Sequence, residues 1–279
     1  MDDARSVTGH VIHLYRNVPA IRSGVCRICH TGPNNRRDTG EPYDICSSCD
    51  RTMRGLYRPA THVVPISLAV QNGDDNGLYK IVARKECVRA APGWMNRQTV
   101  MAATLSRFYQ AHEACLTDLA GGAFTLVTSI PSTRRDRPIE AFHILTQVIN
   151  MVRALKDLHK PQLLLADDEH APTLNERNSH PGAFHVLGAQ KERQVLRGER
   201  VLLVDDLFVS GAHVQSAAST LFEHGAEEVV ALVILRVIDP SAQRPNRMAI
   251  WQEASAEPFD FDRCCIYERQ DHTKHVSNL

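Results

Sequence analysis

Apolar residues fall in short, dense runs separated by polar turns, and these runs alternate with longer stretches of helical spacing. Val201-Leu202-Leu203-Val204 is the most informative run. It is short and β-branched at both ends, which reads as a buried strand. Two carboxylates, Asp205 and Asp206, follow at once. The small-residue turn Ser210-Gly211-Ala212 then leads into a helical pattern from Val214 to His224. Phe124 to Ile130, Gln162 to Ala166, Ala183 to Leu187 and Val229 to Ile238 are further strand candidates. Thr61 to Val70 reads as an edge strand, because Pro65 has no N–H to offer a ladder. Leu78 to Lys85 reads as a strand or a short helix. Val100, Leu105, Phe108, Cys115, Leu116 and Leu119 give residues 98–119 a helical period, which Gly121-Gly122 ends. A second helix is predicted from Pro138, which suits a first turn, to about His159. Phe259 to Ile266 alternates like one more strand. The β/α alternation predicts an α/β fold, a mainly parallel sheet flanked by helices with right-handed crossovers.

Composition adds bounds. At 279 residues the chain can hold one full α/β domain plus a small appendage. Hydrophobic content of 43% and charged content of 23% are ordinary for a globular protein. With 32 basic and 32 acidic residues there is no global pull toward nucleic acid, though a local basic patch is compatible with that balance. No 18-residue apolar run exists to span a membrane, and Met1-Asp2-Asp3-Ala4-Arg5 lacks the apolar core of a signal peptide. The expectation is therefore a cytoplasmic protein, in which the eight cysteines are first read as thiols or metal ligands.

Four of those cysteines are patterned. Cys26-x-x-Cys29 and Cys46-x-x-Cys49, sixteen residues apart, have the spacing of two knuckles around one tetrahedral ion. The span between them is polar and turn-rich and cannot form a core unaided, so the metal would supply its folding energy. Four thiolates leave no open position, which favours a structural over a catalytic Zn²⁺, while two matched pairs without a visible secretory signal make a pair of disulfides or a redox C-x-x-C the weaker reading. His30 reads as a neighbour of the ion. Arg27, Arg36, Arg37, Arg51, Arg54 and Arg58 decorate the module, as a solvated basic face or as a polyanion contact. Cys264-Cys265 and His272-x-x-His275 are read as core thiols and tail histidines. Cys87 and Cys115 are read as buried small hydrophobes.

Acids at the carboxyl end of a strand, followed by a tight loop opening a helix, form a ligand site of α/β sheets. The helix start presents unpaired N–H groups and a positive dipole end, which suit a phosphate, while the acids suit sugar hydroxyls. Leu-Leu-Val-Asp-Asp also resembles the opening strand of a response-regulator receiver. That reading would need a phosphoacceptor Asp on a later strand, and the next strand ends at Asp239 without that layout. Neither a P-loop nor a dinucleotide fingerprint is present.

The segment Val201 to His213 resembles the 5-phosphoribosyl-1-pyrophosphate (PRPP) motif of type I phosphoribosyltransferases: four apolar residues, two acids, two apolar residues and a Thr/Ser-Gly loop. Phe208 is bulkier than the usual residue, and His213 stands where a hydroxyl usually meets the phosphate. With the Cys ribbon ahead of the sheet, Pro131-Ser132-Thr133-Arg134-Arg135 after an early strand and Arg177-Asn178 before the PRPP strand, residues 20–238 are similar to the ComF group of zinc-ribbon phosphoribosyltransferase-like proteins, linked to DNA uptake in competent bacteria. Two features depart from that group: Ser-Ile-Pro and the run Arg137 to His143 replace its usual loop, and about forty residues continue past its expected last strand.

The resemblance implies a zinc ribbon over 1–60, a type I phosphoribosyltransferase-like domain over 61–240 and an extension over 241–279. It implies that Asp205 and Asp206 hold the ribose hydroxyls, and that Val209, Ser210, Gly211, Ala212 and His213 bind the 5′-phosphate. Ser132, Thr133, Arg134 and Arg135 would cradle the pyrophosphate, although a solvated basic turn is the plain alternative. Arg177 and Asn178 would belong to a closing hood. Asp167 and Asp168 would approach the metal or the incoming base, or are solvated loop acids. The implied activity transfers the 5-phosphoribosyl group from PRPP, with Mg²⁺, to a nitrogenous base or amine. A module that senses PRPP or binds single-stranded DNA without turnover is the alternative. A homodimer is a further expected assembly.

Overall fold

The computed structural model describes residues 4–84, 96–132, 144–189 and 194–266. Its centre is a parallel sheet of β1 (His62–Val70), β2 (Leu126–Ser129), β5 (Arg200–Phe208) and β6 (Glu228–Ile238), in the order β1-β6-β5-β2. Its helices are α1 (Ala4–Gly9), α2 (Ser47–Met53), α3 (Gly77–Arg84), α4 (Arg97–Leu119), α5 (Ile144–Met151), α6 (Arg153–Lys156), α7 (Ala212–Glu223) and α8 (Pro245–Ala256). The apolar runs become strands because both sheet faces are covered, as parallel sheets require. Val201, Leu202, Leu203 and Val204 are wholly buried. The pleat sends Leu202 and Val204 into one core with Val100, Leu105, Val148 and Ile149 of α4 and α5, and Val201 and Leu203 into a second with Ala217, Ala218 and Leu221 of α7.

Thr61 to Val70 forms the edge strand that Pro65 announces. Its free side is covered: Leu68 N donates to Arg16 O, and Ser67 Oγ accepts from Arg16 N at 2.9 Å. Of the stretch Leu78 to Lys85, residues 78–84 lie in helix α3. Two expectations are corrected. Gln162–Ala166 and Ala183–Leu187 do not extend the parallel sheet: β3 (Leu164–Ala166) and β4 (Phe184–Val186) pair antiparallel with each other, in a separate two-stranded ladder. The short runs are apolar because Leu164, Phe184 and Val186 pack under α7, not because they lie within the main sheet. Nor is Phe259 to Ile266 a strand. Its alternation places Phe259 and Phe261 against Tyr15, with ring centroids 5.0 and 5.7 Å away. Among the described residues no helix is long and apolar enough to cross a membrane.

Residues of the first module do not stand apart. Val7, Val11, Tyr15, Val18 and Val25 share a core with the sheet, while the four ribbon cysteines join the core on the α7 side. Gly32 lies so close to α8 that an added Cβ would sit 2.3 Å from the Asn246 backbone. Asn246 Nδ2 donates to Pro33 O at 2.6 Å.

Candidate functional site

Helix α5, after β2, covers one face of the sheet, and α7, after β5, covers the other. The carboxyl ends of β2 and β5 therefore open into a crevice between oppositely directed connections, the usual ligand position of such sheets. A cavity of about 910 Å³ lies there. It is lined by Asp205, Asp206, Val209, Ser210, Gly211 and His213 from the end of β5, by Ser132 after β2, and by Arg177. Ala212 is buried at the start of α7, and neither it nor Asn178 lines the cavity. Thr133, Arg134, Arg135, Cys87, His272, His275 and the run Arg137 to His143 lie outside the described residues.

Strand β5 continues through both acids to Phe208, so the pleat divides them. Asp205 follows Leu203 on the α7 face and Asp206 follows Val204 on the α4 face. Asp205 is 8% exposed and accepts a hydrogen bond from Asp206 N at 3.0 Å. Burial, then the neighbouring Asp206 charge, push its carboxyl well above the ordinary carboxylate range. Asp206 pairs with Arg97 at 2.9 Å. Arg97 lines the same cavity and opens α4, held there by the Asn96 cap, whose side chain accepts from Thr99 N at 2.9 Å. This partner lies 109 residues away in the chain, and the sequence reading missed it. A lone arginine after Asn96 carries no signal of what it will meet.

The loop after β5 is shaped by packing. Gly211 has φ 95°, and a Cβ there would lie 2.6 Å from Phe208 Cζ and 3.3 Å from Thr52 Oγ1. The bulk of Phe208 is thus the floor beneath the loop, tolerable because Gly211 has no side chain. Ser210 Oγ accepts from Ala212 N at 3.3 Å, and no side chain caps the start of α7. His213 is depressed to about 4 by burial, so its ring is neutral at pH 7 and offers hydrogen bonds but no charge. Gly211→Ala is expected to cost about 1–3 kcal/mol through strain at this φ, measured in a denaturant titration. An unchanged midpoint would show that the loop does not hold this conformation.

Ribbon residues support the loop from behind. Cys26, Cys29, Cys46 and Cys49 are buried, with their four sulfurs all within 4.8 Å of one another. Cys29 and Cys46 Sγ are 3.6 Å apart, close to the ~3.8 Å edge of a tetrahedron with Zn–S of about 2.3 Å. The group is positioned to bind a metal such as zinc. Cys46 N donates to Cys26 Sγ at 3.2 Å, a hydrogen bond that suits a thiolate ligand. Burial opposes ionisation of Cys29, but hydrogen bonds with the other thiols and the Arg236 charge outweigh it and hold the thiol well below its ordinary range. His30 is a neighbour, its Nδ1 2.9 Å from Pro19 O.

Arg236, 2% exposed on β6, joins ribbon to loop. Its guanidinium donates to Cys29 Sγ at 3.5 Å, Phe208 O at 3.0 Å and Val209 O at 2.8 Å. Ser48 Oγ in α2 donates to Ser210 O at 3.1 Å. Three arginines of the ribbon module are engaged within the chain: Arg54 pairs with Asp50, Arg58 with Glu228, and Arg36 lies over Tyr43.

Asp167 accepts from His170 and His185, each at 2.8 Å, and neither Asp167 nor Asp168 lines the cavity. Cys115, read as partnerless, lies beside His112 and Cys264.

Comparison of the chain with protein-family models and with curated proteins returns no match.

Proposed function

We propose that the chain is a ComF-like, type I phosphoribosyltransferase-like protein. It would bind PRPP with Mg²⁺ and transfer the 5-phosphoribosyl group to a nitrogenous base or amine, releasing pyrophosphate. The observation that carries this reading is one cavity holding a strand-end acid pair, a glycine loop at the start of α7, and Ser132 and Arg177 on its other walls. Its size suits a ligand as large as a phosphorylated sugar diphosphate.

In this reading Asp205 and Asp206 accept hydrogen bonds from the ribose hydroxyls, and the N–H groups at Gly211 to His213 receive the 5′-phosphate. Ser132 and Arg177 face the pyrophosphate end. The C1–O bond breaks with its electron pair leaving on pyrophosphate, a C1–N bond forms, and the acceptor nitrogen gives up a proton. As positive charge develops at C1, the carboxylates stabilise it from fixed positions, so catalysis is chiefly positioning and electrostatics. Mg²⁺ would come with PRPP and would offset the charge of the leaving group when bound.

The alternative, a module that senses PRPP or binds single-stranded DNA without turnover, draws on the ribbon arginines, and the three intramolecular pairings above weaken it. The deciding experiment incubates the full chain with PRPP, Mg²⁺ and a panel of bases and follows pyrophosphate. Base-dependent release supports the enzyme. PRPP binding without release supports the sensor. Salt-dependent DNA binding with no PRPP affinity overturns the reading.

A further inference from the structure

Helix α4 breaks its regular geometry at His112, where φ is −126° and ψ is 16°. Helix kinks have local causes, and this one turns an imidazole inward. His112 is 1% exposed, and its Nε2 lies 2.8 Å from the carbonyl oxygen of Phe261. A carbonyl only accepts, so Nε2 carries the hydrogen and Nδ1 carries a lone pair. That Nδ1 is buried with no hydrogen-bond partner. An orphaned buried acceptor is costly, and its presence asks what it faces.

One turn along α4 stands Cys115, 7% exposed, and beside it Cys264, 6% exposed, from the segment after α8. A ring nitrogen of His112 and the sulfurs of Cys115 and Cys264 all lie within 4.8 Å of one another. Two soft sulfurs and an imidazole form a donor set for zinc. The second nitrogen already donates to a backbone carbonyl, as ligating histidines regularly do to fix tautomer and ring orientation. Spacing points the same way, because residues i and i+3 share a helix face and present two ligands together.

We propose that His112, Cys115 and Cys264 bind a second zinc ion, through Nδ1 and two thiolates. Each thiol releases its proton on binding, so the site strengthens as pH rises. The ion staples the segment around Phe261 to α4, far from the Cys26 ribbon in sequence. The proposal does not depend on the phosphoribosyl reading.

Native mass spectrometry of the full chain purified with zinc tests it. The expected result is two zinc ions per chain, falling to one in His112→Gln and in Cys115→Ser, and staying at two in Cys265→Ser, whose sulfur lies 3.7 Å from Pro65 O. X-ray absorption at the zinc edge of the parent protein should show nitrogen or oxygen ligands besides sulfur, a readout that needs no variant to fold. A single zinc with a purely sulfur shell, two zincs retained in both variants, or a Cys115–Cys264 disulfide in the zinc-loaded chain would overturn the proposal.

Discussion

Arg236→Met is expected to lose about 3–5 kcal/mol of stability and, when loaded with zinc, to release the ion to a chelator faster than the zinc-loaded parent protein. A tetrathiolate zinc centre carries two net negative charges, and Arg236 is the buried cation that meets them. Methionine keeps much of the volume but leaves that charge uncompensated in a low-dielectric setting. It also strips the donors from Phe208 O and Val209 O, two carbonyls that set the path of the loop into α7. Chelation of the parent's zinc is expected to loosen the same loop, seen as faster amide exchange at Ser210 and Gly211. Denaturant titration and a colorimetric zinc-release assay read the first effect. Parental values for both would show that Arg236 does not balance the cluster.

On the proposed phosphoribosyl reading, the Asp205→Asn, Asp206→Asn double variant is expected to fold and to lose PRPP affinity by roughly two to four powers of ten. Hydrogen bonds to charged groups are worth about 1.5–3 kcal/mol each, and two are lost. Pyrophosphate release should vanish with them. Stability separates the two positions. Folding raises the Asp205 pKa above its unfolded value of about 3.9. Its contribution is therefore fully present below that value and declines as pH rises through the raised folded value. Asp205→Asn alone removes that decline, so it should melt higher than the parent at pH 7 while binding PRPP more weakly. Asp206→Asn alone should melt lower, because it leaves the partly buried Arg97 without its carboxylate. Calorimetric titration with PRPP and Mg²⁺, alongside melts from pH 5 to 8, checks both. Parental PRPP affinity in the folded double variant would remove the acids from the ribose site.

Much of this site is visible in one contiguous segment because strand, acids, turn and helix are local. Val201 to His224 carries its own change of pattern, from a continuous apolar run to helical spacing, and nothing distant overrides it. The Cys ribbon is legible for a similar reason, since spacing alone limits how four thiols can meet. What escaped reading is long-range or ambiguous. Arg97 meets Asp206 across the fold, and no local pattern marks that meeting. Leu164–Ala166 and Phe184–Val186 are three-residue runs, too short for apolar content to say which sheet they join. Helix α8 buries only Ile250 and Ala254 and has almost no apolar stripe, so only Pro245 at its start announces it. The rings of Phe259 and Phe261 alternate for the sake of Tyr15.

That aromatic cluster bears on the order of assembly. Tyr15 packs at a tilt against Phe259 and Phe261, Asn17 N donates to Ala254 O, and Asn17 Oδ1 accepts from Asp260 N. The segment around Tyr15 and Asn17 thus has partners synthesised more than 230 positions later. Such pairs raise contact order and delay docking of that segment until the later one has been made. The cysteine knuckles need only residues 26–49 and can capture metal long before that. A nascent chain would therefore be able to load its ribbon while the segment around Arg16, which covers the outer edge of β1, still waits for residues 254–261 to hold it.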